Sequence, residues 1–197
     1  INVGQNECKS ADYDKQISTQ GLATCIGIVA YGKHSADTRI NKVMAHCSPG
    51  KVTYVIGHQF VTQVLESRMD ISGISMSCAT RTVNDDGPFR ISDQDLRQAI
   101  ATEHQIHPDQ VTSQQIQEQR AGMRRLQDSA EAAAKLICRD HLGVPPTVYR
   151  RRNADVASTY PFGTVVATPS PQGIVRIDGN RVARIPDSAA PAPSASS

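Results

Sequence analysis

The chain has 197 residues, 39% of them hydrophobic, and a formal charge of +2, enough to bury one core of ordinary size but cramped for two full domains. Near-neutral charge excludes affinity dominated by nucleic-acid phosphates, and no apolar run approaches the roughly 20 residues that span a bilayer. Five cysteines form an odd, sparse set unlike a disulfide framework, and without Trp the core must be mostly aliphatic.

Residues 1 to 17 are polar and carry no period. Thr24 to Tyr31 is short, apolar and β-branched, the pattern of a buried strand. Arg39 to His46 is a second strand candidate, closed by the turn signal Ser48-Pro49-Gly50, and the two predict a hairpin across residues 32–38. Between Lys51 and Met69, Val52, Val55, Ile56, Phe60, Val64 and Leu65 recur at helical spacing. Ile71 to Cys78 predicts a further strand and Asn84 to Pro88 a loop. Ser92 is suited to cap a short helix reaching about His104. Ile116, Met123, Leu126, Ala130, Ala133 and Ile137 place one long amphipathic helix over Thr112 to about His141, stopped by Gly143 and Pro145-Pro146.

Short strands follow at Thr147 to Arg151, Gly163 to Thr168, Gly173 to Ile177 and Arg181 to Ile185, the last two joined by a tight turn at Asp178-Gly179-Asn180. Pro186 to Ser197 is Pro, Ala and Ser with little else, and predicts a disordered tail. The expectation is an α+β fold: a central, mostly antiparallel β-sheet or β-sandwich flanked by two or three helices. It divides into a polar segment 1–17, one domain over 18–185 and the tail 186–197. The opening at Ile1 rather than Met suggests a processed or excised chain.

No phosphate loop, serine-hydrolase elbow, zinc-protease helix or paired C-x-x-C is present, which leaves thiol chemistry. If the hairpin loop is centred between Ser35 and Ala36, opposed positions sum to 71 and Cys25 lies across from His46. Opposed Cβ atoms are ~4.5–5.5 Å apart, close enough for a thiol and an imidazole to exchange a proton. Ile26, Ile28, Val43 and Ala45 then share the other face, and a slip of one residue would part the pair.

Cys25 follows Gly21-Leu22-Ala23-Thr24, small residues whose backbone N–H groups, those near Ala23 and Thr24 foremost, could hold an oxyanion. Cys78 and Cys138 read as core, Cys47 faces away from His46, and Cys8 falls in a segment expected to be mobile. A metal site at Cys25, His46, Cys47 and His58 is disfavoured by the orientation of Cys47, so no metal and no cofactor is expected. His104 and His107 read as surface groups. Arg150, Arg151 and Arg152 form the only dense basic run, a solvated face or, if the chain is a non-catalytic binding module, its contact surface.

At Thr19-Gln20-Gly21-Leu22-Ala23-Thr24-Cys25 and Val43-Met44-Ala45-His46, followed by Pro49, the sequence resembles the thiol glutamine deamidases that share the fold of the chemoreceptor deamidase CheD and of the cytotoxic necrotizing factors. A Thr, five residues and a Cys open one strand of that family, and Met-Ala-His or Met-Asn-His ends the next. Thr164 to Ile177 looks similar to its terminal hairpin, while Cys78 to Gly143 lacks the family's glycine pair and following Asn and Arg. The resemblance implies Cys25 as nucleophile, His46 as general acid and base, and Thr19 as the residue that orients the imidazole. It implies a hydrolase acting on linear amides, with some transglutamination where an amine intercepts the thioester. The expected partner is a protein with an exposed glutamine, with no nucleic acid, no membrane span and a monomeric enzyme. The expected setting is a bacterial effector or toxin secreted into the host cytoplasm; the alternative is a housekeeping deamidase of chemoreceptors in the bacterial cytoplasm.

Overall fold

A computed structural model describes residues 1–79, 91–151 and 163–188. Strand β1 (Glu7–Asp12) is followed by the short β2 (Ile17–Thr19), then by β3 (Ile26–Lys33) and β4 (Ile40–Cys47). The helical stretch after β4 opens with a 3-10 turn at Pro49–Lys51. It continues as α1 (Val52–Tyr54), a π-helical turn at Val55–Phe60 and α2 (Val61–Ser67), and ends at Arg68 in the left-handed region. Then come β5 (Asp70–Cys78), α3 (Asp93–His104), α4 (Ser113–Leu142), β6 (Thr147–Arg150), β7 (Val165–Ala167), β8 (Ile174–Ile177) and β9 (Asn180–Arg184).

The fold is α+β with two sheets. Five strands run in the order β1-β4-β3-β5-β6, antiparallel except for the parallel β5–β6 pair, and four run β2-β7-β8-β9, all antiparallel. The parallel pair follows from the chain path, since a strand that returns beside β5 in the same direction needs a long crossover, and α4 supplies it. Ser92 and Gly143 act as the sequence announces, Ser92 Oγ accepting from Asp95 N and Gly143 ending α4 at φ 70°, and Thr112 and Gln115 add a reciprocal capping box.

Alternation along β3 and β4 gives the central sheet two buried faces. Ile26, Ile28, Ala30, Val43, Ala45 and Cys47 pack with Phe60, Val64, Ala134 and Cys138 under the helices. Cys25, Val29, Tyr31 and Met44 pack with Ile17, Leu22, Val165, Ala167, Val175 and Ile177 between the sheets. A third, smaller cluster of Leu96, Ile100, Val111 and Ile116 joins α3 to α4.

Four expectations need correction. The N-terminal residues are not unpatterned: β1 pairs with β4 along Glu7↔His46 to Asp12↔Ile40, and Cys8 is a buried core thiol, not part of a mobile segment. The hairpin register is shifted by two, with Ile26 opposite Cys47 and Gly27 opposite His46, so opposed positions sum to 73. The loop is displaced because its second half is pinned from outside, Thr38 Oγ1 donating to Ser67 O at 2.5 Å and Asp37 pairing with Arg68 at 3.1 Å. An even shift keeps every side chain on its expected face. Finally, the first tail residues are held, Asp187 Oδ1 accepting from Gln172 N and Ser188 Oγ from His34 N, while 189–197 lie outside the described residues. The loop expected at Asn84 to Pro88 also lies outside them.

Two glycines shape the space between the sheets. A Cβ on Gly27 would sit 2.6 Å from Leu22 Cδ1 and 3.0 Å from Val165 Cγ2. Gly163, at φ +73°, lies so close to the Leu22 backbone that a Cβ would be 2.6 Å from Leu22 O. Leu22 N also donates to Gly163 O at 3.0 Å, so the segment leading to Cys25 is laid tightly against the start of β7.

Candidate active site

The structure brings Thr19, Cys25 and His46 to one rim of the inter-sheet space. Thr19 ends β2 in the smaller sheet, His46 lies near the end of β4, and Cys25 directly precedes β3. By the observed register Ser48 falls opposite Cys25, and His46 is one diagonal step away on the same face. Cys25 Sγ accordingly has Ser48 Oγ as its polar neighbour, at 4.0 Å. Ser48 is itself held from the N-terminal segment, its Oγ accepting from Gln5 Nε2 and its N–H donating to Asn6 Oδ1, both at 2.9 Å.

The imidazole is fixed by Thr19. Thr19 Oγ1 donates its single proton to Val3 O at 2.8 Å, and the same oxygen lies 2.9 Å from His46 Nδ1. Val3 O is buried and needs that donor, so Nδ1 must supply the proton of the second bond. The neutral ring then carries its hydrogen on Nδ1 and a lone pair on Nε2. Nε2 is buried and has no hydrogen-bond partner among the described residues. A lone pair left unmatched at this depth costs stability.

Burial sets the charge states. His46 is 4% exposed, and desolvation together with the cation of Arg151 holds its pKa below the ordinary 6.5. Cys25 is 7% exposed; desolvation pushes its thiol up, against the Ser48 hydrogen bond and Arg151, which pull it down. At neutral pH the resting pair is thiol and neutral imidazole, since burial favours the uncharged form of each. Even so, Cys25 stands apart from Cys8, Cys47, Cys78 and Cys138, whose burial pushes each to about 12.

Of the two N–H groups expected to face an oxyanion, that of Ala23 is spent on Gly21 O at 3.0 Å. The Thr24 and Cys25 N–H groups have no acceptor among the described residues. The carbonyls of the same bend are tied down by Arg151, whose Nη2 donates to Ala23 O at 3.0 Å and Cys25 O at 2.8 Å. Its Nη1 donates to Ser77 O and Oγ at 3.1 and 3.0 Å, and its backbone N–H to Cys78 O. Arg151 is 1% exposed. The basic run is therefore not one solvated surface: Arg150 makes a two-pronged ion pair with Glu131 of α4, Arg151 is interior, and Arg152 lies outside the described residues. Sequence reasoning missed Arg151, Ser48, Gln5 and Asn6.

The remaining candidates fall elsewhere. Cys47 turns to the helix side and His58 is exposed on the π-helical turn, so neither joins His46. Among the described residues no three His, Cys, Asp or Glu are placed to share a metal ion, and no helix is long and apolar enough to cross a membrane. His107 caps the 3-10 turn Pro108–Gln110, its Nδ1 accepting from Asp109 N, and His104 lies in the last turn of α3. A cleft of about 340 Å³ opens between the strand ends and α4, lined by Thr24, Ile26, Cys78, Arg124, Arg125 and Glu131 among others. It reaches the residue before Cys25 but includes neither Cys25 nor His46. No protein-family model, curated protein or solved structure matches the chain.

Proposed function

We propose that the chain is a thiol-dependent protein-glutamine deamidase of the kind its Thr19, Cys25 and His46 spacing resembles, with the two-sheet arrangement of the CheD and necrotizing-factor class. The observation that carries the reading is the directed imidazole: Thr19 holds Nδ1 at 2.9 Å, and the buried Nε2 has no partner among the described residues, on the face that Cys25 shares. A His-oriented thiol with a third residue behind the ring is the general arrangement for attack on an acyl or amide carbon.

In this mechanism Nε2 takes the Cys25 proton as sulfur attacks the side-chain amide carbon of a glutamine. The carbonyl π pair moves to oxygen, and the Thr24 and Cys25 N–H groups, without an acceptor among the described residues, are the donors offered to that oxyanion. Collapse breaks the C–N bond, and ammonia leaves with the proton that Nε2 carried. Water then loses a proton to Nε2, attacks the thioester and releases glutamate and the Cys25 thiol. The substrate protein gains one negative charge and the enzyme is unchanged. No cofactor enters any step.

The deciding measurement is peptide mass spectrometry of a cell extract incubated with wild type and with Cys25→Ala. Conversion of specific glutamines to glutamates with wild type alone supports the reading. Identical spectra from the two proteins would sink it. A labelled primary amine in the same incubation shows whether the thioester is also intercepted by amines.

A further inference from the structure

We infer that Arg151 is a positioning residue for the reactive thiol: its guanidinium fixes the bend that carries Cys25 and sets a buried positive charge beside the sulfur. For its catalytic consequence this rests on the deamidase reading; for the thiol itself it does not.

Four hydrogen bonds from one side chain converge on two separate pieces of chain, the Ala23–Cys25 bend and the end of β5 at Ser77. Nothing in that geometry is needed to close the sheet, because β5 and β6 already pair from Ser75↔Thr147 to Cys78↔Arg150. Burying a guanidinium is expensive, and desolvation depresses even this group, to about 10. It stays charged at neutral pH, with Nε left without a partner among the described residues. An interior cation retained with one donor unsatisfied needs a use beyond packing.

The bend offers two. In a trans peptide the N–H points opposite to the C=O, so tying Ala23 O to Nη2 turns the Thr24 N–H away from the guanidinium. That N–H is one of the two in the bend with no acceptor among the described residues. Arg151 thus presets an oxyanion donor without touching the substrate. The second use is electrostatic. The groups that act on Cys25 are Ser48 by hydrogen bond and Arg151 by charge; Cys78, Asp178 and Cys25 act on Arg151 in turn, and the neighbouring titratable groups on β4 are His46 and Cys47. Of these Arg151 is the cation at neutral pH, so it adds a charge to the Ser48 hydrogen bond in offsetting burial and favouring sulfur's anion.

Two variants separate charge from geometry. Arg151→Met removes both, and Arg151→Lys keeps a charge that cannot hold Ser77, Ala23 and Cys25 together. The rate of Cys25 alkylation by iodoacetamide, followed peptide by peptide against pH, requires no substrate. For Arg151→Met its midpoint should rise by about one pH unit. For Arg151→Lys the midpoint should stay near wild type, while kcat for glutamine conversion falls about tenfold with KM little changed.

An unshifted midpoint in an Arg151→Met protein that melts cooperatively would overturn the electrostatic role. Unchanged kcat in Arg151→Lys would overturn the geometric one. If the Met variant does not fold, the Lys variant and Ser77→Ala, which removes one anchor and should lower kcat by a smaller factor, carry the test. A shifted midpoint in a protein that converts no glutamine would leave Arg151 as the tuner of a reactive thiol and remove the deamidase reading alone.

Discussion

On the helix side of the five-stranded sheet, Ile26, Ile28, Val43, Ala45 and Met76 meet Phe60, Val64 and Ala134 in one continuous apolar cluster. On the opposite side of the same strands lie Lys42, His46, Ser75 and Ser77, facing Thr19 and Thr164 and joined at the rim by Arg151, all buried. Four of these, His46, Ser75, Arg151 and Thr164, carry a polar atom without a partner among the described residues. Two faces of one sheet, built from alternate residues of the same strands, have thus been given to different tasks. The helix face gains stability from aliphatic contact, at about 25 cal/mol per Å² removed from water. The inter-sheet face gives some of that up to hold polar groups in fixed directions.

The division can be broken from either side. Cys25→Ala should abolish glutamine conversion while Cys47→Ala, one strand across but on the helix face, leaves it intact; product mass spectra decide between them. Phe60→Ala should lower unfolding free energy by about 3–5 kcal/mol, read by denaturant titration, with kcat of the folded protein little changed. Thr19→Val removes the acceptor of the His46 Nδ1 proton and the donor to Val3 O, and should lower kcat about tenfold with a modest loss of stability.

The pH profile is a subtler test. Base action needs neutral His46, whose pKa lies below 6.5, so the acid limb of kcat/KM should begin below that value. The alkaline limb belongs to a thiol raised above 9.0, so activity should hold at least from pH 6.5 to 9. A bell narrower than this would contradict the buried, neutral pair. Smallest of all in its effect on the thiol, Glu131→Gln removes the buried charge that pairs with the half-exposed Arg150 and Lys135; it should lower stability in denaturant titration and leave Cys25 alkylation unaltered.

Face assignment was legible in the sequence because alternation in β3 and β4 is strong, and it survived a two-residue error in register. The register itself was not legible, since the anchors that displace the loop, Ser67 and Arg68, come from a helix end about thirty residues on. β1 escaped notice because an edge strand reading Glu-Cys-Lys-Ser-Ala-Asp buries only Cys8 and Ala11 fully. Thr19 and His46 could be paired through a resemblance of spacing, but Arg151 could not, because three successive arginines look alike until a parallel strand carries the second one inward. Ser48 had one usable signal, its place two residues after His46 at the mouth of the hairpin.

Arg151 stands 126 residues from the carbonyl of Cys25 that it holds, and Thr19 is braced by Val3 near the other end of the chain. This corner is therefore assembled from segments more than a hundred residues apart, and closing so long a loop is slow and comes at a large entropic cost. A nascent or clipped chain ending before residue 147 would contain Thr19, Cys25 and His46 yet lack the guanidinium that stiffens their bend. If Arg151 tunes the thiol as inferred, competence of Cys25 would then report on completion of this fold and would be lost with the strand that carries Arg151.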